Sequence, residues 1–472
     1  MVRTTIACAR CRYASYVREN IQIIDGPDIY TAQTLVVMSV YEWSTANAYR
    51  GWMFSGMAAR MMHSILVLVK PGQLTAIERE VHSRSIWSCY VLDRLIFCGR
   101  SVPFDLAAYG LQRLQIDWPI GEQDFAFAQQ SSDHRHANDE REHLLEGMKG
   151  DIDHYYDVLV RGFDIWARIL NWVLAGGRRL PGMSDPENCP WLKTSAWGMM
   201  YDEISRWREA QDVRLRYPET GVEGHAVLGQ AEAFAYVNLI YYICDPPFLP
   251  SEAPPGYWND IVGQMSDSAV QIVKLLEDLE QADASLLTPF AGYCSFSAAT
   301  INIYINCYPR YNLGRSPDSA ATLAVNMAFL DRLRKVLPMG EGWWTTIWHC
   351  QTLYQRASQN HNSFRGKTRF DFIALEKSMQ DCGANPPTET DYLLQTADKP
   401  TADPTPDHVT EAAISLQELS GSHAPASQDI LSPGGPWTNE WNQMWPLWGE
   451  NQHVPFALEG IPFDYNMNIL DA

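Results

Sequence analysis

The residues best suited to chemistry by type and spacing stand at the N-terminus. Ala7-Cys8-Ala9-Arg10-Cys11-Arg12 sets two thiols at Cys-x-x-Cys spacing, which metal and redox sites both use. Zinc takes about four ligands in a tetrahedral array. The next cysteine is Cys89, in an apolar stretch that reads as buried helix, so the pair cannot complete a site. A second group of ligand types, His134, His136 and His143 with Asp133, Asp139 and Glu140, falls in a charged stretch without His-Glu-x-x-His spacing. It reads as a solvated loop. No Gly-x-Ser-x-Gly elbow, phosphate-binding Gly-x-x-x-x-Gly-Lys-Ser/Thr loop or strand-borne Gly-x-Gly-x-x-Gly is present, and nothing recommends an enzyme.

The far end of the chain carries recognition chemistry instead. Trp437, Trp441 and Trp445 recur at i, i+4 and i+8 beside Met444 and Glu440, until Pro446 intervenes and Trp448 follows. A short helix there would show one aromatic face. Ile461, Phe463, Tyr465, Met467 and Ile469 alternate with Pro462, Asp464, Asn466 and Asn468, which suits an extended segment. Lys399 is the last basic residue, and acidic residues from Asp403 to Asp471 follow it uncompensated. Two readings compete: an acidic, aromatic activation segment that folds on a coactivator, or a lid that docks back on the body.

These ends flank a chain built to bury surface. Of 472 residues, 46% are hydrophobic and 19% charged, with 17 Trp and 22 Tyr, which argues against disorder over most of the length. The net charge of -20 opposes nonspecific nucleic-acid binding, which rests on Lys and Arg neutralising phosphates. Any DNA contact must be local. Ten scattered cysteines, mostly in apolar surroundings, suit a reducing compartment. Neither a signal pattern nor an apolar run of ~20 residues appears, so an intracellular, soluble protein is expected, with no membrane partner.

The elements that must position these residues are helical. Met57, Met61, Ile65 and Leu68 share a face between Trp52 and Leu68, and from Ile77 through Phe97 the residues Ile86, Cys89, Tyr90 and Phe97 share another. The second helix has little polar surface and should be central. Further helices are expected over Asp151–Leu174, Trp197–Arg214, Ala226–Ile243, Trp258–Leu279, Ala291–Tyr308, Ala320–Val336 and Trp343–Ala357, with a polar loop over 129–142. The β-branched run Ile301–Ile305 lies inside a longer apolar segment and reads as helix. The expected class is all-α, a multi-helix domain with a disordered acidic, aromatic C-terminal tail. Its divisions are an N-terminal segment 1–28, a helical domain 29–384, a disordered linker 385–436 and the acidic aromatic tail 437–472.

Three ordered blocks carry a family resemblance. They are Thr31–Glu42, ending in Tyr41-Glu42; Trp52-Met53-Phe54-Ser55-Gly56-Met57-Ala58-Ala59-Arg60-Met61; and Glu78-Arg79-Glu80, Arg84, Trp87-Ser88, Asp93-Arg94 and Gly99-Arg100. Together they resemble the fungal-specific transcription factor domain, the middle regulatory region of fungal zinc binuclear cluster proteins. Pro289–Cys294 and Ala298–Thr300 resemble a later helix of that region, extending the likeness from Tyr30 to about Gly383. Paired Arg and paired Trp of the family pattern are single here, in Ser83-Arg84-Ser85-Ile86-Trp87. Independently of the name, Gly56 and Ala58 inside a helix predict a close helix crossing. Arg60, Glu78, Arg84, Asp93 and Arg100, set in apolar sequence, predict ion pairing.

The resemblance implies a nuclear regulator of RNA polymerase II genes. It also implies a zinc cluster of six cysteines, of which Cys8 and Cys11 look like the opening pair. Either a truncation leaves this remnant or the pair is fortuitous. No cofactor is expected in the chain as it stands, since the zinc ligands are incomplete. Expected partners are a coactivator or family relative, or a second copy in a homodimer, with a small-molecule effector as a further candidate. DNA would be reached only through the missing cluster or a partner. The alternative function is an interaction or dominant-negative module that sequesters a full-length relative.

Overall fold

The computed structural model describes residues 2–21, 23, 26–69, 74–96, 116–128, 148, 150–174, 186–189, 192–244, 257–307 and 319–359. Gly99, Arg100, the polar stretch 129–142, the linker 385–436 and the aromatic tail 437–472 lie outside the described residues. Every helix or strand longer than one residue among the described residues is helical: the chain is all-α.

The N-terminal segment is helix α1 (Val2–Asn20), whose 19 residues contain neither Gly nor Pro. The first breakers after it are Gly26-Pro27. Helix α2 (Ile29–Ser44) starts at Asp28, whose carboxylate accepts from Thr31 N at 2.8 Å. Helices α3 (Ala48–Leu68) and α4 (Ala76–Leu95) complete a three-helix unit in which each packs on the other two. A capping box starts α4: the Thr75 hydroxyl accepts from Glu78 N, and the Glu78 carboxylate accepts from Thr75 N at 2.8 Å.

A short helix α5 (Glu122–Ala126) leads to α6 (Tyr155–Leu174), which packs on α4, on α7 (Ala196–Glu209) and on α9 (Ala231–Ile243). The single helix expected over Trp197–Arg214 stops at Glu209, because the Asp212 carboxylate accepts from Arg214 N at 2.9 Å and caps a 3-10 turn instead. The one expected over Ala226–Ile243 is likewise two. Helix α8 (Val222–Val227) ends where Gly229 takes φ +69°, with Gly229 N donating to Ala226 O and Gln230 N to His225 O. This left-handed cap turns the chain before α9 begins.

Helices α10 (Tyr257–Gln281) and α11 (Pro289–Cys307) pack on α9, and α11 also touches α10, α12 (Ser319–Val336) and α13 (Gly340–Gln359). The run Ile301–Ile305 is helical within α11.

Two hydrophobic cores result. The smaller, under α2, α3 and α4, holds Leu35, Ala58, Met62, Ile86 and Trp87; the larger holds Trp166, Trp207, Phe234, Phe290 and Trp343. Helix α4 contributes Ile86 and Tyr90 to the first and Leu92 and Ile96 to the second, while α6 contributes Val160 to the first and Phe163 to the second. The expectation of a central α4 holds, and α4 with α6 forms the seam between the cores. The expected face of α3 shifts slightly: Ala58, Met61, Met62 and Ile65 are buried, while Leu68 is exposed.

Candidate functional site

The seam is organised around Arg84. Its Nε donates to Glu80 at 2.7 Å, Nη1 donates to both oxygens of Glu122 at 2.9 and 3.0 Å, and Nη2 donates to Ile120 O at 3.0 Å. The guanidinium also lies 4.2 Å from the Phe125 ring centroid. One side chain therefore ties α4 to the segment 116–126. Burial pushes the Glu80 carboxyl up, and the adjacent Arg84 opposes that shift. Trp87 seals the same junction: Nε1 donates to Asp117 O at 3.0 Å, and the indole stacks on Trp118 at 4.7 Å. On the α6 side, Tyr156 donates to Arg84 O at 2.9 Å and its hydroxyl meets Ser88 Oγ at 2.7 Å.

A cleft of about 640 Å³ opens along this seam, within the range of about 300–1,000 Å³ typical of small-molecule sites. Its walls come from α2 and α4 on one side and α6 and α9 on the other, with Val40, Leu95, Phe163 and Tyr236 representative of the lining.

Other residues singled out from the sequence fall in several places. Glu42 is fully buried in α2 and accepts from Arg18 of α1, with Arg50 at 3.9 Å. Tyr41 donates to Cys11 Sγ at 3.3 Å, and that bond is the main cause holding the phenol up. Tyr41 and Glu42 thus seat α1. Ala58 and Met61 are core, whereas Trp52, Gly56 and Arg60 are exposed.

The crossing expected at Gly56 is absent, since a Cβ there would meet nothing within 4 Å. The close approach is at Gly51, where a Cβ would sit 3.1 Å from Ser39 O and 3.2 Å from Trp43 Cβ, and Gly51 O accepts from Ser39 Oγ at 2.6 Å. The ion pairing expected of Glu78 and Arg60 is not seen among the described residues. Glu78 instead belongs to the capping box, whose hydrogen bonds from Thr75 hold its carboxyl low. Asp93 and Arg94 are buried neighbours without a mutual hydrogen bond: Arg94 donates to Tyr90 O at 3.1 Å and covers the Tyr90 ring. Burial pushes Asp93 up to about 6 and draws Arg94 down to about 9.

Cys8 lies on α1, and Cys11, one turn on, is an exposed free thiol. Among the described residues no group of three or more His, Cys, Asp or Glu is placed to hold a metal ion. Cys89 is buried in the smaller core, where burial pushes its thiol up to about 12.

Sequence reasoning missed the buried ion pairs of α6. Arg161 Nε donates to Asp157 at 2.6 Å with both side chains fully buried, and Arg168 donates to Asp164 at 3.0 Å and to Glu203 at 2.6 Å. Tyr90 also donates to Asp164. The signal was present as two Asp-x-x-x-Arg repeats about two helical turns apart.

Residues 11–147, which include α2, α3 and α4, match the family model described as the fungal specific transcription factor domain. That span starts earlier and ends sooner than the Tyr30-to-Gly383 likeness read from motifs, because it takes in much of α1. The chain is 24% identical over 348 residues to the Zn(2)-C6 fungal-type transcription factor FTF1a of Fusarium oxysporum f. sp. lycopersici, covering 66% of this chain and 30% of that protein. The Fusarium protein FTF2, of the same printed description, is 24% identical over 336 residues, covering 66% of this chain and 30% of that protein. A transcriptional regulatory protein of Schizosaccharomyces pombe is 23% identical over 324 residues, covering 57% of this chain and 44% of that one. The chain therefore spans about a third of the length of the Fusarium relatives it matches. No solved structure matches it. Over residues 11–147 the chain is similar to the fungal specific transcription factor domain, and its likeness to Zn(2)-C6 fungal-type transcription factors extends over 66% of its length.

Proposed function

We propose that this chain is the regulatory, non-DNA-binding part of a nuclear transcriptional regulator of RNA polymerase II genes. The observation that carries this reading is similarity to transcription factors over 66% of the chain, in which no group of three or more His, Cys, Asp or Glu among the described residues is placed to hold a metal ion. A net charge of -20 supports the same view, since phosphate binding needs local excess of Lys and Arg. The helical body acts as the regulated part, and the acidic aromatic segment with Trp437, Trp441, Trp445, Trp448, Phe463 and Tyr465 acts as the coactivator contact. DNA is reached through a partner or through cluster residues that this chain does not supply.

The test joins the full chain to a foreign DNA-binding domain and reads a reporter, alongside mobility-shift assays of the purified chain with added zinc. The reading requires a changed reporter output and no sequence-specific shift. A specific shift by the purified chain would overturn the non-DNA-binding assignment. The incomplete cysteine set also favours a second reading, an interaction module that sequesters a full-length relative. Overexpression that lowers target transcripts without occupancy of their promoters would single it out.

A further inference from the structure

We infer that the cleft between α2, α4, α6 and α9 binds an apolar, non-anionic small molecule of ring-containing type. The cleft's volume of about 640 Å³ suits a drug-sized ligand. Its chemistry narrows the class in three steps.

The first concerns charge. Among the described residues the lining contains no Lys, Arg or His, and it contains two carboxylates, Glu122 and Glu232. Arg84 neutralises Glu122, whereas exposed Glu232 makes no ion pair among the described residues. A carboxylate, phosphate or sulfonate entering the cleft would meet like charge and lose hydration without a counterion.

The second concerns hydrogen bonds. The lining hydroxyls are already spent inside the protein: Ser88 on Tyr156, Tyr156 on Arg84 O, Tyr155 on His225 Nδ1 at 2.8 Å and Tyr236 on Thr288 Oγ1 at 2.8 Å. Gln230 Oε1, buried and without a hydrogen-bond partner among the described residues, leaves one acceptor for a single ligand donor, whereas a sugar or nucleotide would leave most of its polar groups unpaired, which is costly to bury.

The third concerns shape. Aromatic rings from Tyr155, Tyr156, Phe163 and Tyr236 share the walls with Val, Leu and Ala side chains, a lining that favours flat apolar rings.

A ligand seated here touches the family block through α2 and α4 and the larger core through α6 and α9. It would stabilise their junction in proportion to its occupancy. The inference deepens the proposed regulatory role by naming the class of signal. Binding by the purified chain tests it apart from any transcriptional readout, so the two can fail separately.

The experiment uses the full chain and a matched probe pair, the neutral fluorophore N-phenyl-1-naphthylamine and its sulfonated analogue 1-anilinonaphthalene-8-sulfonate. The expected result is saturable binding of the neutral probe at one site per chain, at least about tenfold tighter than the sulfonate. Ala233→Trp, on the α9 wall, and Val40→Trp, at the half-exposed α2 rim, should each weaken the neutral probe at least about tenfold while retaining parental circular dichroism. Glu232→Lys should narrow the preference for the neutral probe. If Ala233→Trp fails to fold, Val40→Trp decides. No saturable binding, equal affinity for both probes, or unchanged neutral-probe binding in a folded tryptophan variant would overturn the inference.

Discussion

Replacing Arg84 by methionine keeps the length of the side chain and removes its charge and donors, so it isolates what the seam's hub contributes. Glu80, its closest partner, is 6% exposed, while Glu122 is 40% exposed. Breaking a buried pair from one side costs about 3–5 kcal/mol, because the remaining charge is stranded. An exposed partner adds about 1 kcal/mol or less. With Arg84 itself 16% exposed, a loss of about 3 kcal/mol follows, or about 6–9 °C in melting midpoint for a domain of this size.

The sign with pH is fixed by Glu80, whose folded-state pKa is already raised by burial. Without Arg84 it rises further, so the penalty is full at neutral pH and shrinks as acid protonates Glu80. Glu80→Gln in the same chain removes the stranded charge and should restore more than half of the loss. Thermal unfolding followed by tryptophan fluorescence compares the parent with both variants. A midpoint for Arg84→Met within 2 °C of the parent (roughly 1 kcal/mol here), or no recovery in the double variant, would refute the reasoning.

Two glycines of α3 should behave oppositely: Gly51→Val clashes with Ser39 and Trp43 and should cost about 1–3 kcal/mol, whereas Gly56→Ala, in open space, should gain up to about 1 kcal/mol in helix propensity. Matched denaturation curves check both signs. Asp93 rises from 3.8 to about 6 on folding, so the folded chain holds a proton the unfolded chain has released, and stability falls as pH climbs through that window and stays lowered above it. Asp93→Asn should remove that slope, and a slope unchanged in the variant would show that other groups set it. Among thiols of the described side chains, Cys11 should react with a disulfide reagent within seconds to minutes under native conditions, while Cys89 and Cys294, buried with raised pKa, should react only on unfolding.

Patterns local to one helix were legible in the sequence. The apolar density around Trp87 and Tyr90 announces that α4 is central, whereas Thr75-x-x-Glu78 has the form of a capping box although Glu78 reads from the sequence as an ion-pairing charge. Features that depend on a partner far along the chain were not legible. Gly51 and Gly56 look alike in sequence, and only the position of α2 makes one of them a crossing. Arg84 could be read as a charge in need of a partner, but Glu122 lies 38 residues away and nothing local selects it. The cleft is hidden for the same reason, since Val40, Leu95, Phe163 and Tyr236 come from four helices. The break between α8 and α9 was missed because apolar residues run on through Gly229, and its left-handed cap is a backbone choice that hydrophobic periodicity does not encode.

The central claim is that a helical body governs an acidic aromatic output segment in a chain that does not itself hold DNA. The most direct measurement compares two fusions to one foreign DNA-binding domain, residues 400–472 alone and the full 472-residue chain, on the same reporter at equal expression. The account predicts strong activation by the isolated segment and weaker activation by the full chain. No activation by residues 400–472, or equal activation by both fusions, would contradict it.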